Sequence, residues 1–381
     1  MVKTLIFKHL SATAQKHCPT SMNRIILPPL FATIMLLGSC ARAELDVPEI
    51  QTEVSYCVVS VKTPRGGSAA TASSETSEPA VQPAQTFTPR TKSAEYDKKQ
   101  SFGAWAWYLS AGKVWDKDKK DAIPYIGSST SAEKISHSDG QWKSTTHKYY
   151  WPKAGSLTFM AYSPAHEKAR SRIKIDRDKG ILVTGWQTNG DNQRQDLLVA
   201  DIAADKTANE TSYGLTGVPV VFRHILAKVS VTAYVEKVET GKTIYLKYID
   251  FTNVYGEGDF NGSEWTNRSN HHNIECTFGP YMQLDENRRE VIETMLLIPQ
   301  ALSTIGERSA VQMVIGYTIS EGSTNKDEEV ILDLTKYNAA WERGKHTEYQ
   351  IVFGTSDKPI DFEGSVSDWK DYGDTSIIIG G

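Results

Sequence analysis

Val218-Pro219-Val220-Val221-Phe222-Arg223-His224-Ile225-Leu226-Ala227-Lys228-Val229-Ser230-Val231-Thr232-Ala233-Tyr234 reads as a pair of consecutive β-strands. Val218, Val220 and Phe222 fall on one face, as do Val229, Val231 and Ala233. Successive side chains of a strand point to opposite faces, so a period of two marks strand rather than helix. β-branched and aromatic residues fill the run, and these suit a pleated, half-buried surface. His224 lies among apolar neighbours and reads as a satisfied core or edge histidine rather than a catalyst.

The pattern extends in both directions. Upstream, Phe102-Gly103-Ala104-Trp105-Ala106-Trp107-Tyr108-Leu109 alternates small and large residues. In the run that starts at Leu157, Phe159 and Ala161 share its face, while Thr158, Met160 and Tyr162 point the other way. Asp196-Leu197-Leu198-Val199-Ala200 is a shorter apolar run. Downstream, residues 243–251, 291–300, 310–319, 329–334 and 349–353 read as further strands. Gly256-Glu257-Gly258-Asp259 and Asn261-Gly262 read as turns between them. The charged run 116–121 reads as a solvated loop. No stretch has the period of an amphipathic helix of normal length. Many short strands separated by turn signals predict an all-β chain built as β-sandwich architecture, twice over.

The N-terminus has a different character. Met22-Asn23-Arg24 precedes a nearly unbroken apolar run over 25–37, then Gly38-Ser39-Cys40. The run is short for a bilayer span and reads as an export signal, with Met22 as the expected start. Leu37-Gly38-Ser39-Cys40 resembles the lipobox of bacterial lipoproteins, in which the cysteine becomes the lipidated first residue. The alternative is an ordinary signal cleaved near Ala43. Next comes Val54-Ser55-Tyr56-Cys57-Val58-Val59-Ser60-Val61. Val54, Tyr56 and Val58 take one face and Cys57, Val59 and Val61 the other. Apolar residues on both faces suit a strand inserted into a core. Arg65 stands just past it, and residues 66–95 are rich in Gly, Ala, Ser, Thr and Pro, the composition of a mobile linker. Arg90 is a second basic site in that linker.

Composition excludes some functions. The chain has 381 residues with 42 basic against 46 acidic, a net of −4. Without the first 39 residues, which carry Lys3, Lys8, Lys16 and Arg24 and no acid, the balance is 38 against 46, or −8. That argues against nucleic acid as a partner. Of the 4 cysteines, processing would leave Cys57 and Cys276, too few for a disulfide framework. On a strand, His272 and Cys276 face away from His271 and Glu275, so no metal site is expected. No Gly-x-Ser-x-Gly, His-Glu-x-x-His or phosphate-cradling loop occurs, so no catalytic residue or cofactor is assigned and the chain reads as a non-enzyme. Among the 9 tryptophans, Trp105, Trp107, Trp151 and Trp341 read as core, and Trp115, Trp142 and Trp265 as loop residues suited to a ligand. Asn209, Asn261 and Asn267 fit the N-glycosylation sequon, which carries little meaning in a bacterial lipoprotein.

Several stretches together resemble the fimbrillin family, the type V pilins and Mfa-like surface lipoproteins of Bacteroidales. They are the lipobox, the run from Phe102, Tyr150-Trp151-Pro152, the run from Leu157, and Asp196 with the residues after it. Val220-Val221-Phe222-Arg223-His224, Leu297-Ile298-Pro299-Gln300, Trp341 with Tyr349, and Val366 with Trp369 complete the ordered set. The resemblance implies two tandem β-sandwich domains of transthyretin-like type and export as an outer-membrane lipoprotein anchored by lipid on Cys40. It implies a pilus subunit serving cell adhesion, partnered with other pilus subunits by β-strand complementation. An arginine-directed protease would remove the first strand (Val54, Tyr56, Val58, Val59, Val61), cutting at Arg65 or Arg90, and another subunit's strand would fill the groove. The C-terminal strand a subunit would donate is short here, Ile377, Ile378 and Ile379 before two glycines, which suits a tip or accessory subunit. The alternative is a monomeric surface lipoprotein that binds host glycan or protein through its loops. The organisation expected is a signal over 1–39, a lipidated N-terminus with its severable strand over 40–65, a linker over 66–95, and domains over 96–240 and 241–381.

Overall fold

The computed structural model describes residues 51–62, 96–188, 195–211, 216–354 and 360–369. Through the first part of the chain the strands are β1 (Tyr56–Lys62), β2 (Phe102–Leu109), β3 (Ile123–Ile126), β4 (Glu133–Ser138), β5 (Gln141–Ser144), β6 (Ser156–Ser163), β7 (Ile173–Asp176) and β8 (Gly180–Gln187). They continue as β9 (Leu198–Ala200), β10 (Ala203–Lys206), β11 (Val218–His224), β12 (Ala227–Val235), β13 (Lys242–Phe260), β14 (Trp265–Leu284) and β15 (Arg289–Leu297). The last are β16 (Gln300–Ala301), β17 (Gln312–Glu321), β18 (Thr324–Asp333), β19 (Ala340–Trp341), β20 (Lys345–Phe353) and β21 (Ile360–Asp368). The fold is all-β. Two helices of one turn, Trp115–Asp118 and Glu167–Arg170, interrupt the strands.

The first body is a closed sheet. Its strands follow the order β6-β9-β11-β1-β5-β4-β2, and β2 pairs back onto β6, giving a 7-strand barrel-like ring among the described residues. β10 and β3 pair on as outriders. Where the sequence predicts a two-layer sandwich, the layers are joined at both sides. β2 and β6 close one side over a full antiparallel ladder from Gly103↔Tyr162 to Leu109↔Ser156, and β1 closes the other. Closure covers the edges that an open sandwich leaves, except along β1 past Tyr56, which pairs with β11 alone among the described residues.

The alternation read from the sequence sets the layers. Phe102, Ala104 and Ala106 of β2 and Leu157, Phe159 and Ala161 of β6 fill the barrel interior with Val218, Val220 and Phe222 of β11. The other faces of β2 and β6 carry Trp105, Trp107, Met160 and Tyr162, which are also buried. They pack against Ile173, Ile181, Val183 and Trp186 of β7 and β8. Both faces of these two strands are apolar because each lies between two cores.

β11 and β12 do not form the expected pair. β11 bonds to β1 and β9, whereas β12 bonds to β15 and β20. The chain leaves the barrel at Ile225-Leu226, and Val229, Val231 and Ala233 join a second core with Tyr349, Ile351 and Phe353. The division expected at 240/241 therefore falls after a strand whose partners all lie further along the chain. In this second body a 4-stranded sheet, β15-β12-β20-β21, shares its core with β18, β17 and β13 of a 6-stranded sheet. β7 and β8 extend that larger sheet through β8 and the end of β13.

One expected turn is strand, and one expected loop is helical. β13 runs unbroken through Gly256 and Gly258. A Cβ on Gly256 would sit 2.4 Å from the His272 ring on β14, so this glycine makes room for a cross-strand neighbour. The reversal comes at Asn261-Gly262, as expected. The charged run 116–121 is helical, because Trp115 at its start tucks beneath Trp107, ring centroids 5.9 Å apart.

Candidate functional site

The seat of β1 is the part of the fold where the sequence places function. Val54, Tyr56 and Val58 point into the barrel core, with Tyr56 at 2% exposure. The Tyr56 ring meets Phe102 and Phe159 edge-on at 5.5 and 5.7 Å. Each such side chain contributes about 1.5–3 kcal/mol through burial alone. Cys57 and Ser55, on the opposite face, are buried as well. Of Val59 and Val61, the backbone lies in β1, with Val61 opposite Phe222.

The two sides of β1 are held differently. β11 runs parallel to it from Tyr56↔Val218 to Lys62↔Arg223, with a bulge after Val58. Gly217 makes the start of this ladder possible. Its φ is +145°, and a Cβ there would stand 2.5 Å from the Tyr56 carbonyl carbon. On the other side the contacts stop early. Val54 N donates to Tyr149 O at 2.7 Å, Trp151 N donates to Thr52 O at 3.0 Å, and Tyr56 lies opposite Trp142. Past Tyr56, β1 pairs with β11 alone among the described residues.

Asn209 clamps the start of the strand. Its Nδ2 donates to Glu53 O at 2.9 Å, and its Oδ1 accepts from Ser55 N at 3.3 Å and from Trp151 Nε1 at 2.8 Å. The sequence shows this residue only as a sequon; the signal that it bridges two distant segments is absent from local pattern.

A buried carboxylate lies nearby. Burial pushes the Glu133 carboxyl up, but hydrogen bonds from Ser144 (2.7 Å), Thr146 and Tyr149 (3.1 Å) outweigh it and hold the group below the usual range. Burial and the Glu133 charge raise Tyr149 to about 12. Burial raises the Tyr56 hydroxyl further, with Tyr149 and Glu133 adding to it. That hydroxyl has no hydrogen-bond partner among the described residues.

Cys40, Arg65, Arg90 and Ile377, Ile378 and Ile379 lie outside the described residues. The three tryptophans expected in loops are core residues instead. Trp115, Trp142 and Trp265 are 3%, 6% and 3% exposed. Trp142 packs on Tyr96 and Phe102 inside the barrel, and Trp265 donates from its indole to Ile225 O at 2.5 Å. An indole is too large to leave in solvent when a core lies within reach. His271 and Glu275 are exposed on β14 while His272 and Cys276 are half-buried, the alternation expected of a strand. His224 is 1% exposed, contacts Asp196 Oδ2 at 2.6 Å and stacks on Trp369 at 3.7 Å. This stack sets the residue that follows β21 against the end of β11.

Among known proteins, the chain matches the fimbrillin-like family over residues 89–369. No curated protein matches it. A fimbrial protein from Bacteroides vulgatus is similar in structure, with TM-score 0.54 and 16% identity over 71% of this chain and 93% of that one. A candidate cell adhesion protein from Parabacteroides distasonis aligns over 85% of this chain and 99% of its own, with TM-score 0.45 and 10% identity. Another from Bacteroides ovatus covers 84% and 97%, with TM-score 0.41 and 14% identity. The match spans well over half of the sequence, and the chain belongs to the fimbrillin-like family.

Proposed function

We propose that the chain is a cell-surface fibre subunit whose first strand is removable, and that the seat it leaves takes a strand from another subunit. The observation that carries this reading is the seating of β1. It fills the barrel interior with Val54, Tyr56 and Val58, yet past Tyr56 its ladder pairing among the described residues is with β11 alone. Withdrawing it would open a groove lined by Phe102, Phe159 and Phe222 and would free the edge of β11. Unpaired backbone beside an apolar groove is the arrangement that accepts an added strand.

Sequence supplies the rest of the proposal. Lipid on Cys40 anchors the chain in the outer membrane during export, and a cut at Arg65, or at Arg90, releases lipid and strand together. Ile377, Ile378 and Ile379 make a short donor, which suits a tip or accessory place in a fibre devoted to adhesion. The two β bodies then act as tandem domains, the first completed by an exchanged strand and the second complete in itself.

The test is the N-terminal residue of the protein recovered from cell-surface fibres, in wild type and in Arg65→Ala and Arg90→Ala variants. Gly66 or Thr91 at the N-terminus, and loss of SDS-resistant oligomers in the variant that blocks the cut, are expected. Cys40 at the N-terminus of assembled protein, with fibres unaffected by both substitutions, would sink the proposal. Palmitate labelling of Cys40→Ala checks the anchor, and label equal to wild type would remove it.

A further inference from the structure

A cleft of about 490 Å³ opens at the ends of β9 and β11, and its lining includes Arg223, whose backbone lies opposite Lys62 of β1. That volume lies within the ~300–1,000 Å³ typical of small-molecule sites. Two hairpin turns and one connecting turn meet there on the ends of β9 and β11. They are the β7–β8 turn with Lys179, the β13–β14 turn with Gly262 and Ser263, and the β19–β20 turn with Arg343.

The turns are fixed against one another. Gly262 has φ +97°, and a Cβ on it would fall 2.1 Å from Lys179 O, so the two turns touch through their backbones. Asn261 Oδ1 accepts from Ser263 N, Ser263 Oγ and Glu264 N, each at 3.0 Å. Arg343 Nη1 donates to Ser263 O, and its guanidinium lies 5.7 Å from the centre of the Phe260 ring. A pocket assembled before its ligand arrives loses less ordering entropy on binding.

The charge of the cleft is unbalanced. Lys179, Arg223 and Arg343 supply three positive charges and Asp201 one negative, a lining balance of +2 in a chain whose net is −4. Asp201 is taken up by Arg223, with contacts of 2.5 and 2.6 Å. Arg343 has no carboxylate partner among the described residues, and burial together with the charge of Arg223 lowers its pKa. A guanidinium stays protonated in proteins, so this one remains a half-buried cation whose remaining donors meet no carboxylate among the described residues.

We propose that this cleft binds a carboxylated sugar at the end of a glycan, with its carboxylate on the Arg343 fork, Lys179 alongside, and its hydroxyls on Asp201 and Ser263. Guanidinium matches carboxylate in a planar, two-bond geometry. A second hollow of about 350 Å³ shares Asp201 and Ile202 with the first, so the next sugar has room to follow. Ile202, 44% exposed, offers an apolar surface between the two. An acidic peptide fits less well. Peptides add to free strand edges or fill apolar side-chain pockets, and β9 and β11 are each paired on both sides here. The inference borrows from the proposed function the cell-surface source of the glycan, and its case against a peptide holds while a strand is seated beside β11.

The experiment is titration of the purified full chain, by calorimetry or saturation-transfer NMR, with a glucuronate-ended disaccharide, sialyllactose, lactose, acetate, inorganic phosphate and an Asp/Glu-rich peptide. At least one carboxylated sugar is expected to bind at least ~10-fold more tightly than lactose, acetate or phosphate. Arg343→Gln is expected to weaken it by at least ~10-fold, the loss of about one charge-assisted bond. Arg343→Lys should fall between, because the charge remains and the fork is lost. Lys179→Ala, at an exposed turn, provides a second variant if Arg343→Gln misfolds, and should weaken binding several-fold. Equal binding of acetate, phosphate or the acidic peptide would overturn the proposal, as would no binding of either carboxylated sugar, or affinity unchanged in Lys179→Ala and Arg343→Gln. Fibre assembly does not enter the readout, so failure of the strand-exchange reading leaves this test standing.

Discussion

Each body of the molecule contains one parallel strand pair, and the two pairs are held in opposite ways. In the second body β20 runs beside β12 without a break from Lys228↔His346 to Val235↔Phe353, and its far edge is covered by β21 from Lys345↔Asp368 to Phe353↔Ile360. In the first body β1 runs beside β11 with a bulge, and among the described residues its far edge pairs only at Tyr56. β20 also lies in continuous described chain with β12, whereas residues 63–95 separate β1 from the rest of the barrel. Among the described residues the same pairing is thus covered on both edges in one body and open on one edge past Tyr56 in the other. What decides is the covering of the second edge, since a strand paired on both sides must break two ladders to leave.

The strongest way to break this comparison is to delete residues 50–62. Loss of Val54, Tyr56 and Val58 removes roughly 5–9 kcal/mol of burial from the barrel, comparable with the stability of a whole domain. Calorimetry should then show the barrel transition lost while the second body still melts cooperatively. A synthetic peptide of residues 50–62, added in excess, should restore it. A single transition lost or kept as a whole would mean that the two bodies are not separable.

Tyr56 sharpens the same point at one residue. Tyr56→Ala should cost about 3–5 kcal/mol in the barrel transition, the usual penalty for truncating a buried aromatic. Tyr56→Phe should cost nothing measurable or stabilise slightly, because the hydroxyl has no partner. Denaturant melts followed by barrel tryptophan fluorescence read both. A large loss in Tyr56→Phe would show that the hydroxyl is satisfied after all.

The contrast also shows what the sequence could carry. The faces of β2, β6 and β11 were legible because apolar period-two patterning is local; that both faces of β2 and β6 are buried appears only once the second core is in place. Which strands become neighbours was not legible. Nothing in the run from Val218 says that β11 takes β1 and that β12 turns away to β15 and β20; loop closure and complementarity across the whole chain decide it. β14 escaped notice because most of its side chains face solvent, leaving no apolar alternation. Gly256 and Gly258 misled because glycine serves close packing as readily as turns. Of the strand seat, the inward residues Val54, Tyr56 and Val58 were legible. Asn209 was not, since two of its three hydrogen bonds span 154 and 156 positions and the third spans 58.

Asn209 tests how much of the grip on β1 comes from outside the ladders. Asn209→Ala leaves Glu53 O, Ser55 N and the Trp151 indole without their partner. A cost of about 1–3 kcal/mol is expected, if some of these groups find no water. Hydrogen exchange should show the effect at the start of β1 and across residues 149–151, with β12 and β20 unchanged. Protection lost equally in both bodies would tell against a local clamp.

The smallest effect is expected in the parallel pair of the second body, and it depends on pH. His346 on β20 meets Ser230 Oγ on β12 at 2.7 Å, and burial, with the charge of Lys228 adding to it, lowers the imidazole from its ordinary 6.5 to about 4. The folded state therefore binds this proton less readily than the unfolded chain. Between about pH 6.5 and 4 the unfolded state holds more protons, so stability must rise with pH across that window and fall as acid is added. Above 6.5 the imidazole is neutral in both states and contributes no slope. Thermal melts of wild type and His346→Gln at matched pH values should converge in slope above 6.5 and diverge below it, the wild type losing stability faster in acid. The difference should appear in the second-body transition, where His346 sits between β12 and β20; an equal slope in the variant would show that folding leaves the His346 proton affinity unchanged.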